Sequence, residues 1–222
     1  MKDCAVIFDV DGVLLELTRP EEEIFFEALS RFVPTQDLSR DWNSYRIRND
    51  DDIIAEILER NGLAPATKAE VIEHYVGLLD GALASGSLTT MPIKGAASLL
   101  GAVSDFAATG IATANLREAA RLRLETVQLW PMVQNHAFGA DGGGHKHQIL
   151  ARAIASTGLP AQRIVYVGDN INDVIAGREN NVHFVGFSTD AGRRRQLANA
   201  GTRNLAENHG ETLGFIRQFL AS

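Results

Sequence analysis

Two carboxylates, Asp9 and Asp11, directly follow the short apolar run CAVIF, and their spacing marks the first place where this chain can do chemistry. Two later apolar runs also end in polar groups. Thr113 lies within GIATA with Asn115 just beyond it, and IVYVG leads into DNIND, which carries Asp169 and Asp173. In an open parallel sheet, ligands bind beyond the carboxyl ends of the strands, where neighbouring ends lie side by side. These side chains are therefore expected in one crevice. Four carboxylates crowded together repel one another and hold their protons more tightly. A hard divalent cation resolves that conflict, because Mg²⁺ prefers oxygen ligands and keeps positions open for water and phosphate. Beside Thr113 and a lysine, such a site suits phosphate chemistry: the metal neutralises phosphate charge while the hydroxyl and backbone N–H groups hold its oxygens. An aspartate can then attack phosphorus to form an aspartyl-phosphate. A second carboxyl group two residues away can protonate the leaving oxygen and afterwards activate water.

The elements that must position these groups follow from periodicity. CAVIF reads as a buried strand stopped by DVDG. From Arg19 to about Ala84 the pattern is helical throughout. Ile24, Phe25, Ala28, Leu29 and Phe32 share one face, and Ile53, Ile54, Ile57 and Leu58 share another in a helix that stops at Asn61-Gly62. A third helix starts at Thr67, where TKAE has the form of a capping box, and carries Val71, Tyr75, Leu78 and Leu79. Beyond Met91 strands and helices alternate. The pattern predicts helices over Ala96–Thr109, Arg117–Gln128 and Gln148–Thr157, another through Ala176, and a last one ending near Ala221. Strands are expected at GIATA, near His136–Phe138, at IVYVG and at HFVGF. This alternation indicates a parallel α/β sheet, interrupted after its first strand by a helical insert.

Composition narrows the classes. The chain has 222 residues, 45% hydrophobic and 22% charged, as in an ordinary globular protein. No apolar run reaches the roughly 18 residues of a membrane span. The N-terminal apolar run is too short for a secretory signal, and the one cysteine, Cys4, cannot form an internal disulfide. A cytoplasmic protein is expected, without a membrane partner. A net charge of −7 argues against nucleic-acid binding by global electrostatics. A small anionic substrate would instead need a metal ion or a few placed cations.

The order VIFDVDGV, IATAN, Lys146 and VYVGDNIND resembles the haloacid dehalogenase superfamily in its helical-cap phosphatase branch, whose members are similar to phosphoglycolate phosphatase and β-phosphoglucomutase. The resemblance spans nearly the whole chain. It implies a Rossmann-like three-layer α/β core from residues 1–15 and 92–222, with an inserted all-helical cap domain over 16–91. It also implies roles. Asp9 matches the nucleophile and a metal ligand, and Asp11 the general acid/base, whose backbone carbonyl also faces the metal. Thr113 matches the phosphate-binding hydroxyl, with Ala114 and Asn115 beside it on the substrate side. Lys146 matches the lysine that pairs with nucleophile and phosphate, Asp169 a metal ligand, and Asp173 a direct or water-mediated metal support. Ala114 stands where many relatives have glycine, and GDNIND where GDT is commoner. Relatives acting on carbon–halogen bonds generally lack the second aspartate, so Asp11 favours phosphate esters. The expected activity is Mg²⁺-dependent hydrolysis of a small phosphorylated metabolite. A sugar phosphomutase and a non-catalytic phosphate-ligand sensor are the alternatives on the same fold.

Plainer readings stand beside these. Asp173 can serve as an N-cap, since Val174 begins an apolar helical pattern. His145 and His147 flank Lys146 without further ligands at metal spacing and read as solvated loop residues. Arg193, Arg194 and Arg195 read as a solvated helix start. Arg46 and Arg48 precede the second insert helix, where they either pair with Asp50 to Asp52 or, for Arg48, help to select the substrate.

Overall fold

The computed structural model describes residues 2–220. Strand β1 (Ala5–Phe8) is followed by helices α1 (Arg19–Ser30), α2 (Asp50–Arg60) and α3 (Thr67–Ser85). Then come α4 (Ala96–Ser104), β2 (Ala108–Ala112), α5 (Arg117–Thr126), the short α6 (Trp130–Val133) and β3 (Ala137–Phe138). The chain continues through α7 (Lys146–Thr157), β4 (Ile164–Gly168), α8 (Ile171–Glu179), β5 (His183–Phe187), α9 (Ala191–Asn199), β6 (Leu205–Ala206) and α10 (His209–Leu220). The six strands form one parallel sheet in the order β3-β2-β1-β4-β5-β6.

Strand alternation builds the layers. Val6 and Phe8 of β1, Val165 and Val167 of β4, and Val185 and Phe187 of β5 face one side, against Leu99 and Leu100 of α4, Leu124 of α5 and Ile216 of α10. Ala5, Ile7, Ile164 and Tyr166 face the other, against Ile149, Leu150 and Ala153 of α7 and Ala176 of α8. With helices on both faces, the strands read as continuous apolar runs, as buried parallel strands must. The α/β fold is the expected three-layer one.

The three insertion helices enclose their own apolar cluster, with Phe25, Leu29, Ile53, Ile57, Val71, Tyr75 and Leu79 at its centre. Leu116, Ala119 and Leu122, at and within α5, close it from the core side. Among the described residues, no helix is long and apolar enough to cross a membrane.

Several boundaries differ from the periodic reading. Helix α4 stops at Ser104 instead of running to Thr109, because Ala108–Ala112 is claimed by pairing with β1, Ala5 opposite Ala108. Helix α5 ends at Thr126, two residues short of the expected Gln128, which takes a left-handed φ of 61°. His136 closes a 3₁₀ turn, so β3 begins one residue later than expected. Helix α8 runs past Ala176 to Glu179. The expected capping box at Thr67 does not form. Ala66 occupies the cap position in a helical conformation with no side-chain bond, so Thr67 is already the first helical residue. The last helix is described to Leu220, and the expected end at Ala221 lies outside the described residues. The two-residue β6 and the one-turn α6 carry too little pattern to be foreseen.

Candidate active site

Strand β1 delivers Asp9 to the carboxyl edge of the sheet, where its N–H donates to Val167 O of β4 at 2.9 Å. Asp9 Oδ1 accepts from Val10 N at 2.8 Å and from Lys146 Nζ at 2.7 Å. Lys146 opens helix α7, not the loop before it, and the three glycines ahead of it carry the chain under the insertion. It also lies 3.3 Å from Asp173 Oδ1. Burial alone would lower the lysine's pKa. Asp173 and Asp9 outweigh that, so its pKa is raised and the ammonium is firmly held. Burial pushes the Asp9 carboxyl well above its usual range despite the lysine, with Asp173 and Asp169 adding repulsion.

Asp169 and Asp173 arrive from the end of β4. Carboxylate oxygens of Asp9, Asp169 and Asp173 all lie within 4.8 Å of one another. Asp173 is not the N-cap. Asn170 is, accepting from Asn172 N, and Asp173 at the third helical position returns a bond to Asn170 N at 3.0 Å. Its oxygens also accept from Asp169 N at 3.2 Å and from the Tyr166 hydroxyl at 2.5 Å. Asp173 is 1% exposed, with both oxygens engaged. The chain approaches itself so closely here that a Cβ on Gly168 would lie 2.3 Å from Asp173 Cβ. Burial, reinforced by Asp173, lifts the Asp169 carboxyl to about 7. Three carboxylates face one lysine here. An oxygen-only donor set with excess negative charge fits a hard cation such as Mg²⁺. Asp9 and Asp169 are the side chains with oxygen to spare for it.

Asp11 lines the same cleft as the other three carboxylates, as expected, but its side chain stands apart from the three whose oxygens lie within 4.8 Å of one another. Its Oδ1 is taken at 2.5 Å by Arg123 Nη2 of helix α5. A guanidinium offers more to this carboxylate than three like charges do. Sequence reasoning passed over Arg123. The available signal was a charge between Ala119, Ala120 and Leu124 on an otherwise apolar helical face.

Thr113, 1% exposed, directly follows β2 with its hydroxyl 3.1 Å from Asn115 Oδ1. Thr113, Ala114, Lys146, Asp9, Asp11 and Asp169 share a cleft of about 660 Å³ with Asn43 and Arg48 of the insertion. A second cavity of about 170 Å³ opens beside it between Phe25, Trp42, Tyr75 and Arg123; Asp11, Ala114 and Arg48 line both, and Asn115 lines the second. Arg48 donates to Asn43 Oδ1 at 3.1 Å, and Arg46 pairs with Glu56 and Glu59, so neither arginine pairs with Asp50 to Asp52. Those aspartates have other work at the start of α2. Asp50 N donates to Ala114 O at 3.0 Å, and Asp50 Oδ2 accepts from Leu116 N at 2.9 Å. Asp52 accepts from Gly144 N at 2.7 Å, and Asn49 donates to Gly144 O at 2.8 Å. Asp51 pairs with Lys68 at 2.8 Å. His145 caps α7, and His147 within that helix lies 3.1 Å from Glu179, so they are helix-start residues and not loop residues. Arg193 lies 3.9 Å from Asp169 at the start of α9.

The parallel sheet, with helices inserted after its first strand, thus carries acidic groups and a buried lysine at its carboxyl edge. Residues 6–187 match the family model of haloacid dehalogenase-like hydrolases, and the chain belongs to that family. The fold is shared with a predicted phosphatase from Clostridium acetobutylicum (20% identity, 98% of this chain and 100% of that one, TM-score 0.69). It is also shared with CbbY from Rhodobacter sphaeroides in complex with phosphate (17% identity, 95% and 96% covered, TM-score 0.69). A hydrolase from Pseudomonas syringae is similar as well (19% identity, 97% and 98% covered, TM-score 0.69). No curated protein matches the chain significantly.

Proposed function

We propose that this hydrolase cleaves small phosphomonoesters in a Mg²⁺-dependent reaction through an aspartyl-phosphate on Asp9. The observation that carries the reading is the placement of Asp9. Its Oδ1 is fixed by Val10 N and Lys146, while Oδ2 has no hydrogen-bond partner among the described residues, and Asp9 lines the cleft.

In this reading the phosphoryl group lies against Asp9, with Thr113 and Lys146 holding its oxygens. Asp9 and Asp169 hold Mg²⁺, and Asp173 orients the surrounding groups. When bound, the ion neutralises phosphate charge and so reduces its repulsion of the attacking carboxylate. Asp9 attacks phosphorus, and Asp11, lining both cavities, gives a proton to the departing alcohol. Asp11 then takes a proton from the water that opens the aspartyl-phosphate. The helical insertion serves as a cap over residues 16–91, excluding bulk water during transfer. The small second cavity receives the leaving group, with Arg48 and Asn115 at its border, which favours a small phosphorylated metabolite. CbbY from R. sphaeroides also has a structure in complex with xylulose-1,5-bisphosphate, which agrees with a substrate of that size.

The test is phosphate release from a panel of small phosphomonoesters, with and without Mg²⁺, for the wild type and Asp9→Asn. Magnesium-dependent release that Asp9→Asn abolishes supports the mechanism. An Asp9→Asn variant with most of its activity intact excludes it.

A further inference from the structure

Arg123 projects from the middle of α5 into the interior, where only 3% of the residue is exposed. Its guanidinium meets three separate segments. Nη2 is 2.5 Å from Asp11 Oδ1 on the loop after β1. Nη1 is 3.2 Å from Asn115 Oδ1 on the loop after β2, and that same oxygen accepts from the Thr113 hydroxyl. On the insertion, Glu21 of α1 lies against the other edge, with Oε1 2.6 Å from Nε and Oε2 3.2 Å from Nη2. Glu21 is itself anchored, since Oε2 also accepts from Thr18 N at 3.2 Å.

We infer that Arg123 is the positioning residue for Asp11: it grips Oδ1, leaves Oδ2 facing the phosphate cleft as the proton-transferring atom, and ties that placement to the insertion through Glu21. The inference rests on the phosphomonoesterase reading. Chemistry favours arginine for this task. A planar fork can reach three acceptors from fixed directions, whereas a lysine ammonium is one point charge on a flexible stem. The second carboxylate matters as well. A one-to-one pair would draw both oxygens of Asp11 onto the guanidinium. Glu21 occupies the other edge, so Asp11 is held through one oxygen only. Oδ2 has no hydrogen-bond partner among the described residues, and Asp11 borders both the phosphate cleft and the leaving-group cavity. Arg123 borders only the latter, so it supports Asp11 from behind without touching the transferred group.

A double-mutant cycle on Asp11→Asn and Arg123→Met, read with two substrates, tests the inference. On an alkyl phosphomonoester, whose leaving oxygen needs a proton, Arg123→Met is expected to lower kcat about 100-fold with little change in KM. The same substitution in the Asp11→Asn background is expected to cost almost nothing further, because it acts through Asp11. With p-nitrophenyl phosphate, whose leaving group departs unprotonated, the variant is expected to release a rapid first equivalent of nitrophenolate and then slow. Arg123→Lys is expected to recover part of the loss. Should Arg123→Met fail to fold, the paired Glu21→Gln/Arg123→Met variant removes one buried charge of each sign and carries the same comparison. Additive losses in the cycle, or equal losses on both esters with no burst, overturn the inference. A wild type inactive on both esters overturns the phosphomonoesterase reading and this inference with it. An active wild type with additive losses overturns this inference alone.

Discussion

The phenol of Tyr166, in the middle of β4, donates to Asp173 Oδ1 at 2.5 Å from beneath the carboxyl edge of the sheet. Asp173 is thus held by a strand hydroxyl, the Lys146 ammonium and two backbone N–H groups at once. It acts as a hub that orients its neighbours, and Tyr166 is the support closest to the sheet interior. Removing only the hydroxyl leaves a buried carboxylate short of one donor, at a cost of about 1–3 kcal/mol. Tyr166→Phe is expected to unfold several degrees below the wild type in thermal denaturation. An unchanged midpoint would mean that the bond contributes nothing net.

Metal binding should depend on pH through Asp169. Burial and the neighbouring Asp173 hold this carboxyl near 7 in the metal-free protein. A cation binds the ionised form, so below that value it must displace a proton. The apparent Mg²⁺ affinity is expected to rise about tenfold from pH 6 to pH 8 and then level off. Calorimetric titration at the two pH values measures this, and equal affinities would remove Asp169 from the metal site.

Asp50 gives a stability signature of its own. Burial raises its carboxyl from 3.8 to about 7, opposed by the Leu116 N–H and reinforced by Asp11. The folded chain therefore binds this proton more tightly than the unfolded chain does. The associated stability is fully present below about pH 4 and is lost as pH rises through about 7. Asparagine keeps an acceptor for Leu116 N without a charge. Asp50→Asn is expected to match the wild type near pH 5 and to exceed its melting temperature at pH 8.5. A variant that loses the same stability as the wild type over that interval contradicts the assignment.

Gly12 tests how tightly the loop after β1 packs against the metal-side carboxylate. It adopts a φ of 77°, and a Cβ there would lie 2.4 Å from Asp169 Oδ2. Gly12→Ala adds backbone strain and displaces Asp169. It is expected to weaken Mg²⁺ binding at least about tenfold, a loss of about 1.4 kcal/mol, with secondary structure retained. Circular dichroism beside a metal titration separates the two effects.

Much of the sheet and the insertion was legible because buried parallel strands are continuous apolar runs and the helices repeat at three and four residues. The gathering of Asp9, Asp11, Thr113, Asp169 and Asp173 was legible for a related reason: strand ends in such a sheet lie at one edge, whereas Lys146 reads as a surface lysine until the family resemblance places it there. What stayed hidden depends on contacts distant in sequence. Arg123 and Asp11 are 112 positions apart, and only packing brings the charge from α5 to the loop after β1. The end of α4 was misplaced because Ala107 and Ala108 suit a helix as well as a strand, and pairing with β1 decides between them. Asp11 reaches the expected cleft, but its turn toward Arg123 was not legible, because sequence spacing says where the chain passes, not which way a side chain turns.

The start of α2 grips the loops beneath it at Ala114, Leu116 and Gly144. Those loops also carry Thr113 and Asn115 and lead directly into Lys146 at the start of α7. In the proposed reaction the insertion would therefore work as a keystone, since lifting it would slacken the arch of loops below. Release of a bound anion and relaxation of the groups that held it would then be one event with one rate, so a tighter grip at α2 would slow departure even if every bond-breaking step kept its speed.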